Sequence, residues 1–174
     1  MIKNQLISKY TKLKYRNHKS VVNNDEISNV LNREFNNKQP NEVVVSDLTY
    51  VQVGVKWHYI CLLIDLFNRE IIGYSAGTNK TAQLVQKAFY SITRPLKQIT
   101  LFHTDRGNEF KNKIIDNILS TFKIKWSLSN KGYPYDNAVA ETTYKSFKTK
   151  FIKGAKIYKF SPIKIQIIWL YALI

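Results

Sequence analysis

Residues 41–77, NEVVVSDLTYVQVGVKWHYICLLIDLFNREIIGYSAG, decide the fold. VVVSDLTYVQV is rich in β-branched residues, Gly54 marks a turn, VKWHYICLLIDL is a near-continuous apolar run, and REIIGYSAG follows a DLFNR turn. Three strands joined by short turns make an antiparallel meander. Beyond it, TAQLVQKAFYSITRP places Leu84, Val85, Ala88, Phe89 and Ile92 on one helical face before Pro95 stops it. ITLFHTD reads as a short buried strand. EFKNKIIDNILSTF repeats apolar residues at 110, 114, 115, 118, 119 and 122 in helical rhythm, and IKWSLS is a further strand. With a last helix in DNAVAETTYKSFKTKF, the order is βββαβαβα. The fold class is α/β: a mixed five-stranded sheet, three antiparallel strands and then two parallel ones, flanked by helices.

Asp47 and Asp105 each close a β-rich run, NEVVVSD and ITLFHTD, and Glu141 lies in the last helical segment. Thirty-five residues separate Asp105 from Glu141. A lone Asp at a strand end is ordinarily a turn or cap residue. In a meander followed by a crossover, however, the first and fourth strands can be central neighbours with the final helix crossing beside them. The three acids then meet at one edge. Carboxylates so gathered repel one another unless a cation sits among them, and hard oxygen donors suit Mg²⁺ or Mn²⁺. Two such ions would clamp the attacking and leaving oxygens of a displacement at phosphorus.

Charge points to the same substrate class. The 174 residues hold 27 Lys and Arg against 12 acids, a formal net charge of +15, which implies a polyanionic partner. The apolar stretch IQIIWLYALI has ten residues, too few to cross a bilayer, and no signal-peptide pattern opens the chain, so no membrane partner and a cytoplasmic location are expected. The single cysteine, Cys61, lies in an apolar run and reads as core; a zinc site lacks its ligands. Residues 1–24 carry six basic residues and no acid, a basic arm or a solvated terminus. Ile27, Val30, Leu31 and Phe35 then recur at helical spacing, predicting a short linker helix before Pro40. The expected organisation is arm and linker over 1–40, a catalytic core over 41–153, and a tail over 154–174.

On the last helix, Ala140, Tyr144, Phe147 and Phe151 form an apolar stripe beside a polar one of Glu141, Lys145 and Lys148. Glu141 either pairs with Lys145 at i, i+4 or serves as a metal ligand with the lysines as phosphate contacts. Between Lys111 and Lys159 stand eleven lysines and three acids, a basic track. Gly132, Pro134, Tyr133 and Tyr135 suit a loop whose tyrosines stack on DNA or pack in the core; Arg106, Lys131 and Tyr135 join the DNA-contact candidates. Asp136 or Asn137 is expected to cap the helix. Asp65 reads as a turn residue, His103 as a structural imidazole, and Trp57 and Trp126 as core.

VVVSDLTYV, DLFNREIIGYS, HTDRGNEF and SNKGYPYDNAVAETTYKSFK together resemble the catalytic part of DDE insertion-sequence transposases, specifically the second reading frame of the insertion-sequence-3 type, related to retroviral integrases. The resemblance covers about residues 30–150, and KGYPYDNAVAE is its most specific run. It implies a ribonuclease-H-like fold and Mg²⁺-dependent nicking at element ends, followed by transfer of the freed 3′ hydroxyl to another phosphodiester. It implies, too, that Asp47, Asp105 and Glu141 bind metal and that Lys148 contacts terminal DNA. Expected partners are DNA, the helix-turn-helix protein of the first frame, and further copies of the chain when active, on the bacterial nucleoid. Val45 and Ser46 stand where many relatives have Trp-x-Thr. After Phe151 the family's usual helices give way to KGAKIYKFSPIKIQIIWLYALI, which reads as a truncated or frame-shifted end. A non-catalytic DNA-binding remnant is therefore the alternative reading, with another ribonuclease-H-like nuclease the third.

Overall fold

A computed structural model describes residues 27–153. The basic arm and the tail lie outside the described residues. Strand β1 (Val43–Val53) turns through Gly54, whose φ of 58° is the left-handed geometry a tight hairpin requires, into β2 (Lys56–Asp65). Asp65 closes the next turn: its Oδ1 accepts the Phe67 amide at 3.1 Å, its Oδ2 the Asn41 amide at 3.0 Å, and its carbonyl the Arg69 amide at 2.9 Å. Asp65 is thus the turn residue its sequence context suggested. Strand β3 (Ile71–Gly77) completes the meander.

Helix α1 (Ala82–Tyr90) buries Leu84, Val85, Ala88 and Phe89, and β4 (Leu101–Thr104), α2 (Lys113–Phe122) and β5 (Lys125–Leu128) follow. The second helix starts later than its apolar spacing suggests. Asn112 accepts the Ile114 amide at 3.0 Å and sets the boundary, leaving Phe110 buried in the preceding loop. A 3₁₀ turn (Pro134–Asn137) leads into α3 (Ala138–Phe147), and a π-type turn (Lys148–Ile152) ends the described chain.

The sheet order is β3-β2-β1-β4-β5. Pairs β1–β2 and β2–β3 are antiparallel; β1–β4 and β4–β5 are parallel. This is the ribonuclease-H-like arrangement, with the first and fourth strands adjacent at the centre. One apolar cluster packs Val43, Val45, Val51 and Val53 of β1 against Ala140, Tyr144 and Phe147 of α3. The other packs Val44 with α1 and α2 through Val85, Phe89, Ile115 and Leu119. Alternation along β1 therefore sends neighbouring valines to opposite faces, and the sheet is covered on both.

The linker is where periodicity misleads. Residues 27–35 form turns rather than a helix, with Asn32 and Arg33 at φ of 45° and 63°. Ser127 Oγ takes the amides of Val30 and Leu31, and Asn29 Oδ1 takes that of Asn32. Tertiary and side-chain partners satisfy the backbone that a helix would have satisfied internally.

Candidate functional site

The β1–β4 ladder brings two acids together. Its last pair is Ser46 with Thr104, so Asp47 and Asp105 are each the next residue past the end of the parallel pairing. Strand β1 continues beyond that point, which places Asp47 inside β1 rather than at its end. Asp105 Oδ1 accepts the Gly107 amide at 2.9 Å, and Asp47 Oδ1 the Leu48 amide at 2.7 Å.

Helix α3 is tied to β1 on either side of this point. Asn137 Nδ2 donates to the Ser46 carbonyl at 3.0 Å, and the buried Tyr144 hydroxyl donates to the Asp47 carbonyl while accepting the Leu62 amide at 2.8 Å. Glu141 lies between these two anchors and is exposed. Asp47, Asp105 and Glu141 all line one cleft of about 390 Å³, and Arg106, Lys131 and Tyr133 share its wall.

Burial, first, and the neighbouring Asp105, second, push the Asp47 carboxyl up to about 7, against the opposing Leu48 amide; Glu109 adds to the rise and Lys80 reduces it. Glu109 is buried and ion-paired to Lys80 at 3.0 Å. This pair beside the acids was not singled out from sequence: Lys80 follows β3 and Glu109 follows Asp105 in loops without periodicity. Among the described residues, no three His, Cys, Asp or Glu side chains stand close enough together to hold a metal ion. The donor chemistry suits a hard divalent cation, and the raised Asp47 is what an added positive charge would relieve. The spacing as it stands is not a closed cage.

Other candidates fall elsewhere. Arg106 and Lys131 line the cleft; Tyr135, exposed in the 3₁₀ turn, does not, and its neighbour Tyr133 does. Lys145 is exposed on α3 and Lys148, just after it, is half-buried; both lie outside the cleft wall, and no Glu141–Lys145 ion pair forms among the described residues. Both tyrosines of the loop are on the surface rather than in the core.

Asp136 is no helix cap. Buried at 1% exposure, it accepts Arg33 Nε at 2.6 Å, Asn29 Nδ2 at 2.9 Å and the Asn130 amide at 2.9 Å. Burial alone would raise its carboxyl, but Arg33, the Asn130 amide and Asn29 outweigh that and hold it below the usual carboxylate range. Asn137 makes no cap bond either, its side chain being spent on Ser46. Asp136 instead fastens the linker to the loop that borders the cleft.

His103 is the structural imidazole expected, held between Ser127 Oγ at 2.8 Å and Ser129 Oγ at 3.2 Å and pushed down to about 4 by burial. Cys61 is buried, its thiol pushed up to about 12 chiefly by burial. Trp126 packs at the edge of the core, its Nε1 on Thr104 Oγ1 at 3.2 Å. Trp57 does not: it is 53% exposed, because β2 outruns the helices that cover the sheet.

Residues 37–134 match the family described as the integrase core domain. The chain is 33% identical over 150 residues to the transposase InsF of insertion sequence IS3A from Escherichia coli K12, covering 84% of this chain and 50% of that protein. It is 29% identical over 153 residues to the IS904 transposase of Lactococcus lactis, covering 86% and 60%. The chain thus spans about half the length of the curated relatives it matches. Among solved structures, the HTLV-2 integrase catalytic core domain in complex with magnesium aligns with a TM-score of 0.58 at 16% identity, over 78% of this chain and 86% of that one, a likeness of fold.

Proposed function

This chain belongs to the integrase core domain family, with a core of the IS3 transposase type, and from that premise we propose that it binds DNA across the Asp47–Asp105–Glu141 cleft and there cuts and joins phosphodiesters. The observation that carries the reading is one cleft lined by all three carboxylates and by Arg106 and Lys131. The two cations pair with phosphates and hold a strand against the acids without reading its sequence. Lys145 and Lys148 extend the contact along α3, with Lys148 nearest the element's terminal DNA, and Tyr135 offers a stacking face at the loop.

Mg²⁺ or Mn²⁺, as two ions, would be held by Asp47, Asp105 and Glu141 and would supply charge stabilisation at phosphorus. The chain's own part is positioning. Tyr144 and Asn137 hold α3 against β1, and the ladder end holds Asp47 beside Asp105. The reaction proposed is hydrolysis of one phosphodiester to free a 3′ hydroxyl, then attack of that oxygen on a second phosphodiester with loss of its 3′ oxygen. The whole transposase's partners, further copies and a helix-turn-helix protein of the first frame, belong to the same proposal. No helix among the described residues is long and apolar enough to cross a membrane, and association with the nucleoid is the setting proposed.

A second reading, DNA binding without turnover, is favoured by the separation of the acids: no three stand close enough together among the described residues. The arrangement as it stands supports binding more directly than cutting. End-labelled duplexes carrying the inverted repeats beside the gene, incubated with the chain and Mn²⁺ or Mg²⁺, separate the two. Nicking and strand transfer abolished by Asp105→Asn establish the first. Salt-sensitive binding with no metal-dependent product, even with the first-frame protein added, establishes the second.

A further inference from the structure

The β1–β2 hairpin carries an exposed aromatic surface that the cleft does not use. Tyr50 and Trp57 are 55% and 53% exposed. Tyr50 pairs with Tyr59 and Gln52 with Trp57, so the two rings are diagonal neighbours on one face, with centroids 5.2 Å apart and planes at 83°. Hairpin stabilisation accounts for the contact between the rings. It does not account for a cation brought from another element: Lys148 Nζ sits 4.7 Å from the Tyr50 ring centre, within cation–π range.

That contact joins β1, which bears Asp47, to the turn that follows α3, which bears Glu141. Tyr50 is three residues past Asp47 on β1, about 10 Å along a strand, and Lys148 is seven past Glu141, two helical turns on. A path of about 10 Å corresponds to roughly three stacked base steps. Exposed Gln52 is Trp57's partner across the ladder and shares its face. A surface of indole and phenol flanked by an ammonium group and a carboxamide suits a ligand with flat faces and negative linkers, which describes nucleotides rather than an apolar protein segment. Bases inside a duplex hide their faces, so the ligand has to be unpaired.

We infer that Tyr50 and Trp57 form a stacking site for the bases of unpaired DNA, two or three nucleotides from the strand held in the acid cleft, with Lys148 on the flanking phosphate. The inference rests on the proposed DNA-binding reading and adds to it a second site with a different chemistry.

Fluorescence anisotropy with the full chain and three labelled DNAs tests it: a blunt hairpin duplex, the same duplex with a four-nucleotide unpaired tail, and that duplex with an abasic tail carrying the same phosphates. The parent chain is expected to bind the tailed DNA about tenfold more tightly than the abasic-tailed one. Trp57→Ala should erase that preference, Trp57→Phe should keep most of it, and blunt-duplex affinity should stay within about twofold. Equal affinity for base-bearing and abasic tails overturns the stacking site while leaving duplex binding intact. So does a uniform loss on all three DNAs in Trp57→Ala, or a changed sedimentation state in its place, which would make the patch a contact between copies. Failure of the parent to bind any of the three overturns both this inference and the DNA-binding reading.

Discussion

Asp47 and His103 are opposite cases of one cost, that of placing an ionisable group away from water. Asp47 is pushed up to about 7 by burial and Asp105, so the folded chain holds its proton more tightly than the unfolded chain does. This group therefore adds stability as pH falls from about 7 towards 4. His103 is pushed down to about 4, so the unfolded chain takes up its proton first and the fold loses stability from about pH 6.5 down to 4. The two slopes oppose each other over the same window. Replacing Asp47 with Asn removes one of them. Urea denaturation at a series of pH values is expected to show Asp47→Asn losing about 2 kcal/mol more than the parent between pH 6.5 and 4; parallel pH profiles would contradict the assignment of the raised carboxyl to Asp47.

Between elements, packing leaves little slack where β3 meets α1. A methyl group built on Gly73 would lie 2.7 Å from the Ala88 carbonyl oxygen and 2.7 Å from Ile92 Cγ1. The first is backbone and cannot swing aside. Gly73→Ala is expected to cost about 1–3 kcal/mol by forcing the helix off the sheet, measured as a lower denaturation midpoint with unchanged m-value. A neutral result would mean that α1 moves freely on β3. The helix boundaries follow similar local logic: Asn112 starts α2 by side-chain capping, and Lys123 ends it at φ 58°. Such boundaries were only partly legible, since apolar spacing marks the face of α2 but counts Phe110 into the helix when it belongs to the loop.

For the molecule as a whole, charge decides how DNA is held. With a formal charge of +15, affinity for any duplex should fall steeply with salt, each phosphate contact contributing about −0.9 to the slope of log K against log salt. Replacing Arg106 or Lys131, in the cleft wall, or Lys145 or Lys148, beyond it, with Ala should each reduce that slope by about 0.9 in anisotropy titrations between 50 and 200 mM salt. A slope unchanged by all four would place the DNA on another face of the protein.

The strands, α1 and the order of elements were readable in sequence because alternation and apolar face are properties of neighbouring residues, as VVVSDLTYVQV and AQLVQKAF show. The three acids were singled out from linear patterns, the KGYPYDNAVAE run and the thirty-five-residue interval; the fold lines one cleft with them but does not gather them into a metal-binding cluster among the described residues. What needed the tertiary structure depends on residues far apart in the chain. Ile27, Val30, Leu31 and Phe35 have helical spacing, yet Ser127, about a hundred residues away, takes the backbone amides of Val30 and Leu31. Asp136 has the look of a cap, yet Asn29 and Arg33 claim it. Trp57 sits in a core-like run, yet β2 extends past its covering helices and leaves the ring in solvent. Sequence determined which residues favour strand, helix and charge; only the folded chain decided which polar groups satisfy one another, because a hydrogen bond's worth depends on the partners that the whole fold brings within 3 Å.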